Sequence, residues 1–198
     1  MSCFTKLITD LAFDCDNVPV AGLEVNALII NREDIDYTAT VFDATFKSLI
    51  TSLELKTGSN KGILLEGIKQ VNFADSEVVV ADDTFNKFKH GFAARIFSLT
   101  KETRQDINNM VNYPYGFVVV VEKVWKGAGS ASAFVVLGFH NGLHISEGKE
   151  ASNELDGVFS FKLSSRDTSL EPKNPYIVLE TNYDTTLTAF NTGFVSVP

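Results

Sequence analysis

Two apolar segments in the second half of the chain constrain its fold more than any other feature. Residues 117–121 read FVVVV and residues 134–139 read FVVLGF. A strand with one wet face alternates apolar and polar side chains, whereas these segments are apolar at nearly every position. Both faces of their sheet must therefore be covered. The cover is either the chain's own helix and termini or a neighbouring subunit, and the sequence leaves both possibilities open.

Strand patterns recur along most of the chain and indicate a mainly β fold. They predict eight or nine strands separated by turn residues and not by helices, which favours antiparallel pairing. These eight or nine strands are expected among ten strand-like segments, residues 22–31, 49–56, 63–69, 77–81, 87–99, 116–125, 131–140, 143–147, 157–164 and 175–181. Residues 87–99 fit both a helical and a strand period, and we favour a strand. The prediction is one domain over residues 1–198, an antiparallel β-sandwich or barrel.

One helix is predicted at about residues 100–112. Thr100 is a favourable N-cap, and Pro114 follows where a helix must end. The apolar stripe at helical spacing consists of Ile107, Met110 and Val111. Residues 185–192 fit either a second short helix or a turn. The first helix is therefore expected to pack on one side of the strands or over one end of them.

The charge of the chain excludes several classes of partner. Acidic residues outnumber basic ones by 25 to 17, the formal charge is −8, and the excess is spread along the chain. Such a surface repels phosphate backbones and anionic membranes, so attraction to nucleic acids or membranes is not expected. The longest apolar run falls far short of the roughly 20 residues that cross a membrane. The first residues lack the basic and long apolar regions of a signal peptide, and we expect a protein that stays in solution.

The cysteines and aromatic residues favour a packing role over redox or catalytic chemistry. Cys3 and Cys15 are the two cysteines, and no CxxC motif is present. We expect reduced thiols in a cytoplasmic product, although spacing alone leaves a disulfide between them open. The chain has 16 Phe against 5 Tyr and 1 Trp. Phenylalanine has no polar group and suits dry cores and dry subunit contacts.

The histidines are the first candidates for a metal site. His140 and His144, followed by Glu147, have the spacing of helical metal ligands. However, Asn141-Gly142 predicts a two-residue type I′ hairpin, in which both residues take positive φ. In that hairpin His140 and His144 fall on opposite faces of the sheet and cannot share a metal. We therefore expect no metal site here.

No other pattern predicts catalysis. His90 has no neighbouring nucleophile, and the chain contains no GxSxG, HExxH or GxxxxGK[ST] motif. The clustered acids lack the spacing of a calcium loop and are interpreted as solvated loop or edge residues. They are Asp14, Asp16, Glu33, Asp34, Asp36, Asp75, Asp82 and Asp83. We predict no enzyme activity and no catalytic, cofactor-binding or metal-binding residue.

One aromatic stretch could in principle stack on single-stranded nucleic acid. Its aromatic residues are Phe85, Phe88, Phe92 and Phe97, and its basic residues are Lys87, Lys89 and Arg95. A stacking platform would combine these aromatic faces with the positive charges beside them. The acidic balance of the chain opposes this function, and phenylalanine in a sheet is usually core. We therefore interpret the stretch as core.

The order of the elements resembles that of tailed-phage virion structural proteins, of the tail-tube and connector-ring type. The segments that carry the resemblance are residues 121–143, VEKVWKGAGSASAFVVLGFHNGL, and residues 157–183, GVFSFKLSSRDTSLEPKNPYIVLETNY. The resemblance implies a virion subunit, made in the host cytoplasm, that forms rings or tubes with itself through sheet edges and loops. Other virion proteins would be its neighbours, and DNA would pass as cargo without specific binding.

Two further functions remain open at this stage. A capsid-decorating or fibre-type virion protein would use the same kind of fold. A β-barrel that binds a small apolar ligand would also accommodate long apolar strands around a cavity. The size of the protein in solution separates these possibilities, because a ligand-binding barrel runs as a monomer or dimer.

Overall fold

The structure is a computed structural model that describes residues 14–68, 70–153 and 157–194. Within these residues the chain forms two packed β-sheets and two α-helices, which confirms the mainly β prediction. The strands are β1 Leu23–Asn31, β2 Val41–Phe42, β3 Leu49–Ser52, β4 Ile63–Leu65, β5 Phe73–Val79, β6 Lys87–Ile96, β7 Phe117–Lys123, β8 Phe134–Leu137, β9 His144–Glu150, β10 Phe159–Ser164 and β11 Tyr176–Val178. The helices are α1 Lys101–Asn112 and α2 Tyr183–Thr192.

The large sheet has seven strands in the order β2-β3-β11-β8-β7-β1-β4. Its centre is formed by β7 and its neighbours β1 and β8, which pair antiparallel to it. The loop at residues 127–132 joins β7 to β8 as an antiparallel hairpin. The expectation of antiparallel pairing throughout is wrong at one place, because β3 and β11 pair in parallel. These two strands are far apart in the sequence, and a long connection permits either direction.

The small sheet has four antiparallel strands in the order β5-β6-β10-β9. It packs on one face of the large sheet, and both sheets have free ends in their strand order. Of the two architectures expected from the sequence, the chain therefore forms the sandwich and not the barrel.

The central strand β7 is buried on both faces, as its sequence requires. Val119 and Val121 belong to the core between the two sheets, together with Phe92 of the small sheet. Val118 and Val120 point the other way, into a second core that α2 and the loops before β4 cover. The strands that are apolar on both faces are thus covered by the small sheet and α2 of the same chain. A neighbouring subunit is not needed to bury them.

Both helices have a side-chain N-cap, and the cap of α1 is the predicted Thr100. Thr100 accepts a hydrogen bond from Thr103 N at the start of α1, and Asn182 accepts one from Thr185 N at the start of α2. α1 has no fully buried residue, whereas α2 buries Phe190 against Phe134 of the large sheet. The second helix is thus a true helix, and it carries more of the core than the first.

The prediction of a type I′ hairpin at Asn141-Gly142 is wrong. β8 ends at Leu137, opposite Val119, and Leu143 then forms a bridge with Phe117, two positions further along the same neighbour. Residues 138–142 therefore form a loop that interrupts the pairing with β7, and we call this loop the excursion. Gly142 N donates a hydrogen bond to Gly138 O and closes it. Asn141 keeps a negative φ, and Gly142 has φ +79°. After the excursion the chain crosses to the small sheet as β9.

Candidate functional site

A buried carboxylate holds the excursion between the two sheets. Glu171 is almost fully buried, and its two oxygens accept hydrogen bonds from the backbone N–H groups of His140 (3.0 Å) and Asn141 (2.7 Å). Arg32 Nε donates to His140 O at 2.6 Å from the other side. Burial raises the pKa of Glu171, while these backbone donors act against that shift. This arrangement satisfies the backbone of the loop.

The three histidines lie around this loop but do not converge on one point. His90 accepts a hydrogen bond from Gly138 N at 3.1 Å through Nδ1, and His140 Nε2 lies 2.7 Å from Tyr176 Oη. His144 is buried beside the backbone of Gly116. Burial lowers the pKa of His90 to about 4 and is also the main cause of lowered pKa values at His140 and His144. All three therefore act as neutral packing groups near pH 7.

Within the described ranges, no three His, Cys, Asp or Glu side chains lie close enough to hold a metal ion. Glu147 is exposed on β9 and does not join His140 or His144. Cys15 is exposed, and Cys3 lies outside the described residues, so the question of their pairing stays open.

Two of the loop acids act as local turn caps. Asp36 accepts from the backbone of Thr38 and Ala39, and Asp14 accepts from the backbone of Asp16. Asp43, which the sequence analysis did not single out, caps the next loop in the same way. A side chain that caps its own loop has a structural role, which matches the interpretation of these acids.

The aromatic and basic residues of β6 lie on opposite faces of the small sheet. Phe92 is fully buried between the sheets, and Phe88 points the same way because strand side chains alternate. Lys87 and Lys89 occupy the alternate positions and face outward, and Lys89 forms an ion pair with Asp167 at 2.7 Å. A platform that stacks bases needs both groups on one face, and β6 does not provide it.

β5 and β9 are the outer strands of the small sheet, and α1 lies beside β9, where Arg104 forms an ion pair with Glu150 at 2.8 Å. β5 and β9 have seven residues each and end the strand order on either side. Four large apolar side chains on β5 or in the loop that follows it are 56% to 73% exposed, and we call them the β5 patch. They lie on both faces of the small sheet, because Phe73 pairs with the outward-facing Ala93 and Val78 pairs with the inward-facing Phe88. The β5 patch consists of Phe73, Val78, Val80 and Phe85. An edge strand with exposed apolar side chains is a template for pairing with another chain.

A second open feature is a groove between α1 and the edge of the large sheet. This α1 groove has a volume of about 790 Å³, and it was not predicted from the sequence. Its apolar lining includes Ile29, Ile63, Leu65, Ile96, Ile107 and Met110. Glu66 and Asp106 are its charged lining residues, and both are acidic. The apolar stripe of α1 was the sequence feature that pointed to this groove. Since α1 has no fully buried residue, the stripe is only partly covered.

In comparisons with known proteins, no family model, curated protein or solved structure matches this chain. In the described part of the chain, no helix has the length and apolar character needed to cross a membrane.

Proposed function

We propose that this protein is a structural subunit of a phage virion, of the tail-tube or neck-ring type, that assembles with copies of itself. The observation that carries the proposal is the open edge of β5 with its apolar patch. Natural proteins usually protect edge strands with charge, proline or short length. β5 is seven residues long; it carries the charged Asp75 and Glu77, but its end has Val78, Val79 and Val80 in succession.

The direction of the strands is compatible with a ring or tube. β5 is antiparallel to β6, β6 to β10, and β10 to β9, so β5 and β9 run in opposite directions. When copies repeat in one orientation, β5 of one copy meets β9 of the next as an antiparallel pair. Such a contact joins two different surfaces, and repeated contacts of that kind close into rings or continue as tubes.

The acidity of the chain supports passage of DNA through such an assembly. A formal charge of −8 gives a surface that repels phosphate. A duplex inside a channel of this charge would move without being held. The alternative function, a capsid-decorating or fibre-type subunit, would use the same edge contact but needs no channel.

Light scattering and electron microscopy of the purified chain test the proposal. We expect rings or tubes, with more than about 1,000 Å² buried at each contact between neighbours. Val78→Lys places a charge on the β5 edge and should reduce assembly. Val20→Lys is the matched control, because Val20 is 59% exposed against 57% for Val78 and lies outside the sheets.

A wild-type chain that stays monomeric at all concentrations overturns the proposal. Equal assembly of the two variants would mean that the β5 edge is not the contact. Particles without a channel would favour the capsid-decorating or fibre-type subunit.

A further inference from the structure

The α1 groove is bordered by a strand whose outer edge is unpaired. β4 is the last strand of the large sheet on that side, and it pairs with β1 alone in the described strand order. Ile63 on β4 and Ile68 just after it are 59% and 69% exposed. Backbone donors and acceptors therefore lie beside an apolar floor, with α1 as the opposite wall.

This combination fits an extended peptide better than a small apolar molecule. A peptide strand pairs with the free backbone of the edge strand and places alternate side chains into the groove. A small apolar molecule would cover the groove and leave that backbone without partners. The acidic pair Glu66 and Asp106 favours a peptide that carries a positive charge.

The chain itself supplies such a peptide in residues 1–13, which lie outside the described part. This segment reads MSCFTKLITDLAF, and its first nine residues contain one charged side chain, Lys6. Phe4 is a large apolar side chain two residues before Lys6. Phe4 suits the apolar floor, and Lys6 suits the acidic pair.

The length of the segment is sufficient to reach the groove of its own copy. Asn17 lies beside Trp125, at the end of the large sheet where β1 begins, with 3.1 Å between Trp125 Nε1 and Asn17 Oδ1. The groove lies near Asn31, where β1 ends. Nine strand residues span about 26 Å, and 13 extended residues reach about 43 Å. About five residues are thus available within the groove.

We propose that residues 1–13 of this chain dock in the α1 groove of the same copy, with Phe4 on its apolar floor and Lys6 beside Glu66 and Asp106. The proposal does not rest on the function proposed above. A docked segment covers the apolar stripe of α1 and the exposed isoleucines of β4. It also protects a second sheet edge from pairing with another chain.

Brief digestion of the folded full-length chain with trypsin tests the docking. Cleavage after Lys6 removes six residues and is followed by intact mass. In the wild type this cleavage should be slow and independent of protein concentration. Ile63→Lys should accelerate it by about tenfold or more, because cleavage follows the population of the open state.

Val41→Lys is the matched control, since Val41 is 52% exposed on β2, the opposite edge strand of the same sheet. It should leave the rate of cleavage unchanged. Rapid cleavage of the wild type, or equal rates in both variants, overturns the proposal. Protection that disappears on dilution also overturns it, because the segment would then belong to another copy.

Binding of the neutral apolar dye Nile red provides a second measurement that leaves β4 intact. Phe4→Ala should expose the groove and increase dye binding relative to the wild type. Phe13→Ala is the control, because the proposal places Phe4 and not Phe13 in the groove. Strong dye binding by the wild type would overturn the docking and favour a small apolar ligand.

Discussion

The two sheets of this protein differ in how completely the chain covers them. The large sheet is buried on both faces, by the small sheet on one side and by α2 and loops on the other. Its edge strands, β2 and β4, have two and three residues. The small sheet is covered on one face, and its edge strands have seven residues each. The difference assigns stability mainly to the large sheet, and the proposed function would place contact between copies mainly on the small one.

The outer face of the small sheet carries charges that suit a wet surface. Glu77 lies opposite Lys89, and Glu147 lies opposite Lys162, so opposite charges face each other across neighbouring strands. They keep this face soluble while leaving the edges of the sheet open.

The largest expected effect is the difference in stability loss between a core residue of the large sheet and an edge residue of the small sheet. Phe134 is fully buried and contacts Phe190 and Tyr183 of α2. Phe134→Ala should lower the free energy of unfolding by about 3–5 kcal/mol, because it removes a buried ring and leaves a cavity. Phe73→Ala on the β5 edge should cost less than about 1 kcal/mol. Urea unfolding at pH 7 measures both, and similar losses would show that the β5 patch is core.

The next effect concerns the contact between the two sheets and depends on pH. His90 of the small sheet accepts from Gly138 N in the loop that follows β8, and its pKa is lowered from 6.5 to about 4. The unfolded chain therefore binds a proton at a higher pH than the folded chain does. The contribution of His90 to the free energy of unfolding should be fully present above about pH 6.5. It should decrease by about 3 kcal/mol as the pH falls to about 4.

Other groups near His90 contribute to the same profile. The lowered pKa values of His140 and His144 act in the same direction, and the raised pKa of Glu171 acts in the opposite one. His90→Asn keeps an acceptor for Gly138 and should flatten the dependence on pH. Urea titrations between pH 4 and pH 7 test this, and an unchanged slope in the variant would refute the assignment to His90.

A pair of glycines tests the attachment of α2 to the large sheet. Gly193 ends α2 with φ +82°, and a Cβ there would lie 2.6 Å from Gly62 O. Gly58 has φ +79° and open space around it. Gly58→Ala should cost about 1 kcal/mol through its backbone conformation alone, and Gly193→Ala about 2–3 kcal/mol. Equal losses in chemical denaturation would mean that the close contact at Gly193 relaxes freely.

The smallest effect is expected from removal of metal ions. Asp75, Asp82 and Asp83 are exposed at or near the β5 edge, and none belongs to a described group that could hold a metal. Adding EDTA should therefore shift the thermal midpoint by less than about 5 °C. A larger shift would indicate that a bound ion orders this edge, and the contrast between the two sheets would then need revision.

Local patterns in the sequence predicted most of the individual elements. β1, β7 and α1 lie where their residues indicated, and residues 87–96 form a strand in spite of their ambiguous period. These predictions hold because alternation, capping and turn residues act over a few positions. The short strand β2 was missed, since two residues carry no periodic signal.

The role of the candidate residues was less accessible to sequence reasoning. Asn141-Gly142 has the pattern of a hairpin, yet Glu171, thirty residues away from Asn141, holds the loop in another conformation. The sequence had no sign that this glutamate would be buried. The α1 groove likewise depends on where β4 and α1 meet, which no single segment determines.

The sequence by itself determined that residues 117–121 lie in a sheet covered on both faces, because side chains on consecutive positions point to opposite sides. Only the tertiary structure decided what covers them, namely the small sheet and α2 of the same chain. It also decided that β8 and β9 belong to different sheets and that β3 pairs in parallel with β11. The physical reason is that strand formation is set by local residues, whereas the choice of partner depends on packing between distant segments.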